Sequence, residues 1–190
     1  MKQYLRFSLL LSCLSVAVIL SAQNPVATLQ HKGTTSVFYG QSAFSDGYAA
    51  SYQGDTLYLS AGSFVSPSSI AKGIKIIGSG QFPDSIGVLR RTSILSSLSI
   101  NKGADSLKIE GLYINGDINY DATSAINCIK ILRCGMKSVN FNSNAVTAAK
   151  NNCSIEECFI SGGINFSSQG NNLVIKHNII SGSIAFTCPY

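Results

Sequence analysis

The chain has no tryptophan, four prolines, two histidines and a charged fraction of only 12%. Each shortage excludes something. So little charge, in a chain that is 45% hydrophobic, excludes a disordered, self-repelling segment. No Lys/Arg run is longer than Arg90-Arg91, and the scattered basic residues argue against a nucleic-acid footprint. CxxC and HxxxH spacings are absent, so no zinc site is expected. No helical stripe runs through the second half of the chain, which excludes a helix bundle.

What the chain does have is a repeat. Aligned on the first isoleucine, the segments starting at Ile109, Ile131, Ile155 and Ile175 spell nearly the same pattern at intervals of 22, 24 and 20 residues. Within Leu107-Lys-Ile109-Glu, Ile129-Lys-Ile131-Leu, Cys153-Ser-Ile155-Glu and Leu173-Val-Ile175-Lys, the first and third residues are apolar and the second and fourth mostly polar. That period of two is the mark of a half-buried strand. A second short strand follows around Ile114, Met136, Ile160 and Ile180, and a third carries Ile118, Val139, Ile164 or Ile184. A unit that cannot bury its apolar face alone must stack on its neighbours. The expected fold is all-β: a parallel β-helix of about 20–24 residues per coil, with coils roughly 4.8 Å apart.

The N-terminus reads as an export signal over residues 1–23. It has Lys2 and Arg6, an apolar stretch from Phe7 to Leu20, and Ser21-Ala22-Gln23 as a small-residue cleavage region. The apolar stretch is too short for a membrane span and no stop-transfer pattern follows, so no transmembrane helix is expected after signal removal. A lipoprotein reading that acylates Cys13 leaves Val16 to Leu20 without a role. Export places the protein outside the cytoplasm, secreted or at the cell surface. Removal of the signal leaves twelve basic against nine acidic side chains, a net charge of +3. It also leaves Cys128, Cys134, Cys153, Cys158 and Cys188, an odd number. Cys134 and Cys158 share one column of the repeat, between Leu112 and Asn178. Their sulfurs are close enough to bond, but buried cysteine commonly serves as a small apolar residue, and a flat interior stack seldom offers disulfide torsions. Free, stacked thiols are expected.

Residues 24–54 read as an N-terminal cap. Phe44, Tyr48 and Tyr52 recur every four residues, Ser42 or Ser45 can cap the first turn, and Gly54 can end the last. A short helix here would cover the open end of the solenoid. The β-helix itself is expected over 55–190. Because the chain stops at Cys188-Pro-Tyr190 without a polar-faced capping repeat, an incomplete C-terminal end is expected.

The segments Gly54-Asp-Thr-Leu-Tyr-Leu-Ser-Ala-Gly-Ser-Phe64 and Lys72-Gly-Ile-Lys-Ile-Ile-Gly-Ser-Gly80 carry a specific likeness. They resemble the first coils of the pectin-lyase-like β-helix superfamily. With Gln81-Phe-Pro-Asp-Ser85 and Thr92-Ser-Ile94, the chain from about residue 36 to 190 is similar to exported β-helix proteins of Bacteroidetes. The resemblance implies the fold, a right-handed parallel β-helix, and a Gram-negative cell as the source, with the protein secreted or at its surface and the periplasm as a further location. It does not imply one activity, because the superfamily holds lyases, hydrolases, epimerases, adhesins and spikes.

The alignment names the columns. Ile109, Ile131, Ile155 and Ile175 should stack inside, as should Ile114, Met136, Ile160 and Ile180, and an aromatic column of Tyr120, Phe141, Phe166 and Phe186 reads as core rather than as a sugar platform. Outside, Arg133, Glu157 and His177 align at one corner, with Glu156 beside them. These four are the candidate binding residues, gripping a uronate or moving a proton. The alternative is a solvated charge ladder. Catalytic residues remain unassigned. Lyases of the superfamily often use Ca²⁺ held by several acidic residues, and calcium takes six to eight oxygens. No column here gathers three carboxylates, so no cofactor is expected and Ca²⁺ enters only with a lyase reading. The paired Asp of hydrolases finds only Asp117 with Asp121, and Arg133-Cys-Gly-Met-Lys137 does not match their basic signature. Two readings follow. One is a non-catalytic exported surface or glycan-binding module, whose partner is polysaccharide or cell-surface glycan. The other is a polysaccharide lyase or related enzyme whose groove lies partly beyond residue 190.

Overall fold

The structure, a computed structural model, describes residues 24–81, 91–141, 148–167 and 169–187. Residues 1–23, expected to be an export signal, most of Gln81-Phe-Pro-Asp-Ser85, and Cys188-Pro-Tyr190 lie outside the described residues. The described residues form a parallel β-solenoid of about five turns, with one short helix at residues 43–50.

Chain entry is by strands β1 (Val26–His31) and β2 (Thr34–Tyr39), an antiparallel hairpin whose turn passes through Lys32 and Gly33 in left-handed backbone. Helix α1 (Ala43–Ala50) follows. Then come β3 (Thr56–Leu59), β4 (Gly62–Phe64), β5 (Lys75–Ile77), β6 (Thr92–Ile94) and β7 (Leu98–Ile100). From there the coils are regular, beginning with β8 (Lys108–Glu110), β9 (Tyr113–Ile114) and β10 (Ile118–Tyr120). The next coil comprises β11 (Ile126–Asn127), β12 (Lys130–Leu132), β13 (Gly135–Met136) and β14 (Val139–Phe141). It is followed by β15 (Lys150–Asn151), β16 (Ser154–Glu156), β17 (Phe159–Ile160) and β18 (Ile164–Phe166). The last described coil is β19 (Val174–Lys176), β20 (Ile179–Ile180) and β21 (Ile184–Phe186).

Strands of equal rank pair in parallel and in register. The first sheet stacks Leu57, Ile76, Ile109, Ile131, Ile155 and Ile175. In the second sheet Ile94 pairs with Ile114, Met136 with Ile160, and Ile160 with Ile180. In the third, Phe141, Phe166 and Phe186 are in register. Their rings stack with Tyr120 at centroid separations of 4.4, 4.7 and 4.9 Å along the column. Tyr120, Phe141 and Phe166 are buried, so the aromatic column is core. Each isoleucine so buried contributes about 1.5–3 kcal/mol. Interior apolar surface is therefore the main force holding the coils together.

The N-terminal cap differs from expectation in two ways. The antiparallel hairpin β1–β2 extends the first sheet, with β1 pairing antiparallel to β3; the sequence reading saw only the helix. That helix is also shorter, ending at Ala50. Tyr52 lies outside it and is exposed. Ser42 occupies the N-cap, but its hydroxyl donates to Asp46 Oδ2 at 2.7 Å instead of receiving a backbone N–H. Gly54 is not the terminator. Lys72, from the next coil, donates through Nζ to the carbonyls of Tyr48 (2.9 Å), Ala49 (3.2 Å) and Ser51 (2.7 Å), placing a cation on the negative helix end. The buried face, Ala43, Phe44, Gly47 and Tyr48, lies on the solenoid. A Cβ on Gly47 would meet Leu57 Cδ1 at 2.8 Å, so a larger residue would lift the helix off the first coil.

Candidate functional site

Backbone conformation builds the outer corner between the first and second sheets. Gly111, Arg133, Glu157 and His177, one per coil, all have positive φ (68°, 47°, 56° and 55°). The chain must turn sharply from one strand into the next within about two residues, and the left-handed conformation does this. It costs a side-chain-bearing residue about 1–2 kcal/mol. The same turn throws the side chains outward into one column.

The column is only partly a cluster. Arg133 Nη1 lies 3.6 Å from Glu157 Oε2, and Arg133 Nη2 bonds Glu110 Oε1. Glu110 in turn receives Lys108 Nζ at 2.6 Å. Glu156 does not join Glu157; it lies 3.5 Å from Lys130 Nζ and 3.1 Å from Lys176 Nζ. Lys176 holds the Glu156 carboxyl below its ordinary range, with smaller help from Ser154 and Lys130. Among the described residues, His177 makes no ion pair with this network. The four candidates therefore resolve into one bridge (Arg133 to Glu157), one separate carboxylate (Glu156) and one solitary imidazole (His177).

The sequence reading missed the column one strand position away. Lys75 pairs in register with Lys108, and Lys108 with Lys130. Three lysines thus stand on consecutive coils along the outer face of the first sheet, their backbones about 4.8 Å apart. Lys108 and Lys130 each have one carboxylate neighbour; Lys75 has none among the described residues. With Arg133 and Lys176, this face carries five cations against Glu110, Glu156 and Glu157. The signal was present in the repeat, as the lysine preceding Ile76, Ile109 and Ile131, but the fourth and fifth repeats replace it with Ser154 and Val174.

Beside the corner lies a concavity of about 400 Å³ lined by Ile77, Gly78, Ser79, Gly80, Gln81, Glu110, Gly111 and Arg133. Its floor is mostly glycine backbone. Gln81 spans it, donating from Nε2 to the Glu157 carbonyl at 3.4 Å.

Asparagine ladders cover the third sheet. Asn140 Nδ2 donates to Asn119 Oδ1 at 2.8 Å, and Asn165 Nδ2 to Asn140 Oδ1 at 2.7 Å. Inside the corner, the column of Leu112, Cys134, Cys158 and Asn178 ends with Asn178 Oδ1 accepting the Cys158 N–H at 2.8 Å. All four described cysteines are free thiols. Burial raises the Cys134 thiol strongly and pushes Cys158 up to about 11, so neither is a thiolate near neutrality.

Among the described residues, no group of three or more His, Cys, Asp or Glu side chains could hold a metal ion. Asp117 and Asp121 stand at opposite ends of β10, where Asp121 accepts the Thr123 hydroxyl and N–H. No helix is long and apolar enough to cross a membrane among the described residues. The chain matches no protein-family model, no curated protein and no solved structure.

Proposed function

We propose that the protein is an exported, non-catalytic β-helix module of the pectin-lyase-like kind that binds an acidic glycan along the outer face of its first sheet. The observation that carries this reading is the in-register column of Lys75, Lys108 and Lys130. Like charges directly opposite on neighbouring strands destabilise a sheet. One carboxylate each offsets this at Lys108 and Lys130, but Lys75 has none among the described residues, and a linear polyanion would meet a cation on each of three consecutive coils. A solenoid suits this task because its coil spacing is fixed by backbone hydrogen bonds, so the row is rigid before the ligand arrives. Arg133 and Lys176 extend the cationic face, which carries five cations against three carboxylates.

The test is calorimetric titration of the protein with oligomers of a uronic acid and with a neutral glucan, at low and high salt. Binding of the acidic oligomer alone, weakening as salt rises and lost in a K75Q/K108Q/K130Q variant, is the expected result. Equal binding of the neutral glucan, or unchanged affinity in the variant, would overturn the reading. Growth of ultraviolet absorbance from unsaturated products during the titration would instead establish a lyase.

A further inference from the structure

The groove beside the corner holds a feature that folding alone does not explain. Gln81 Oε1 is buried from solvent and has no hydrogen-bond partner among the described residues, although its amide nitrogen is anchored on the Glu157 carbonyl. A buried acceptor left unmade costs about 1–3 kcal/mol. The oxygen sits 3.5 Å from where a Cβ on Gly135 would stand, so the side chain lies along the coil corner rather than out in solvent.

Around it the groove is shaped by missing side chains. A Cβ on Gly78 would meet Leu112 Cδ2 and the Gly111 carbonyl, and one on Gly111 would meet the Gly78 carbonyl at 2.9 Å. Above Gly80 no described residue comes within 4 Å of a Cβ placed there. Two coils therefore approach closely at the floor, while over Gly80 the described residues leave a concavity. Its rim carries the Glu110 carboxylate, an acceptor, and the Arg133 guanidinium, which has five N–H donors and uses only some of them on Glu110 and Glu157. An acceptor at Gln81, an acceptor at Glu110 and donors at Arg133 form a mixed set. Anions alone have no use for the acceptors. A ring bearing several hydroxyls, each both donor and acceptor, uses all three.

We infer that this groove is a subsite for one hydroxyl-bearing sugar ring of the glycan whose acidic groups lie on the lysine column. The inference rests on the glycan-binding reading above and deepens it. The column supplies attraction and salt dependence; the groove supplies recognition of the ring. Glu110 links the two, since it bonds both Lys108 of the column and Arg133 of the rim.

Backbone amide NMR of the full chain with a uronic-acid oligomer separates the two ideas. Shifts at Gly80 and Gly111 together with Lys75, Lys108 and Lys130 are expected. Shifts at the lysines alone would overturn the subsite and leave the column standing. Shifts at the glycines alone would keep the subsite and remove the column, and no shift anywhere would remove both. A Gln81→Leu variant, checked for an unchanged melting temperature, should bind the oligomer about 5- to 30-fold more weakly, the equivalent of ~1–2 kcal/mol. It should bind polyacrylate, a polyanion without hydroxyls, as the parent does. Equal loss for both polymers, or loss for neither, would overturn the subsite.

Discussion

Lys150 occupies, one coil further on, the inward position that Ile126 occupies on its own strand. The lysine is buried, and its ammonium donates to the carbonyls of Ser124 at 2.7 Å and Ala148 at 2.6 Å. Burial lowers its pKa from the ordinary lysine value, with Asp121 and Cys153 opposing the shift. The folded state therefore holds this proton less tightly than the unfolded chain does. Stability should rise with pH between the lowered folded value and the ordinary value near 10.5. Below that window the protein bears the full cost of a charge in its interior. Urea denaturation from pH 7 to pH 10.5, compared with Lys150→Met, should show this rise as a difference between the two proteins. Parallel pH profiles would show that the ammonium is solvated.

The aromatic column offers an internal control for core packing. Phe166 is sandwiched between Phe141 and Phe186, while Phe186 itself is 69% exposed. Phe166→Ala should cost ~3–5 kcal/mol, and Phe186→Ala clearly less, because most of its surface is already in water. Thermal melts of the two variants check this. Equal losses would mean that Phe186 is as buried as its neighbour.

These columns were legible in the sequence because period-two alternation and a coil-length repeat are both written in single residues. Ile109, Ile131, Ile155 and Ile175 could be aligned without knowing the structure. The hairpin β1–β2 was not legible, since five of the six residues in Thr34–Tyr39 are exposed and show no inward face. The end of α1 was hidden for a different reason. Its cap comes from Lys72, more than twenty residues away, and no local rule points there. At the corner, the alignment placed Arg133, Glu157 and His177 in one column correctly, but shared register does not decide contact. Contact depends on side-chain reach: Arg133 spans two coils to Glu110 and Glu157, and the His177 imidazole is too short to join them.

Thiol chemistry should follow burial. Cys128 is exposed, whereas Cys134, Cys153 and Cys158 are buried, with thiols raised chiefly by desolvation. At pH 8 a thiol reagent should modify Cys128 promptly and the other three only as the protein unfolds. Titration in denaturant without reductant should recover Cys134 and Cys158 as free thiols. Recovery of two fewer thiols, restored by reductant, would show that the adjacent coils are cross-linked.

Asn140 is the middle rung of its ladder, donating to Asn119 and accepting from Asn165. Asn140→Ala removes both bonds, each worth about 0.5–1.5 kcal/mol, so a loss of about 1–3 kcal/mol is expected. Asn140→Asp keeps an acceptor for Asn165 but sets a carboxylate against the Asn119 oxygen, and should be at least as costly at neutral pH. Its deficit should shrink as the aspartate protonates. A deficit independent of pH would place the side chain outside the ladder.

The left-handed corner separates backbone strain from charge pairing. At His177 (φ 55°) no ion pair offsets the strain. Replacement by glycine relieves it but returns about 0.5–1 kcal/mol of freedom to the unfolded chain, so His177→Gly should change stability by less than ~1 kcal/mol. A β-branched side chain fits this backbone worst, and His177→Val should lose at least ~1–2 kcal/mol. Arg133 (φ 47°) sits in the same conformation but bridges Glu110 and Glu157. Arg133→Gly therefore removes exposed ion pairs worth ~0.2–1 kcal/mol each as well as the strain, and should be less stable than His177→Gly. Salt screens such pairs over roughly 3 Å at 1 M against 10 Å at 0.1 M. The gap between the two glycine variants should close in high salt while the penalty of His177→Val stays. If the gap persists in 1 M salt, the Arg133 side chain is holding the corner by packing on its neighbours rather than by its charge.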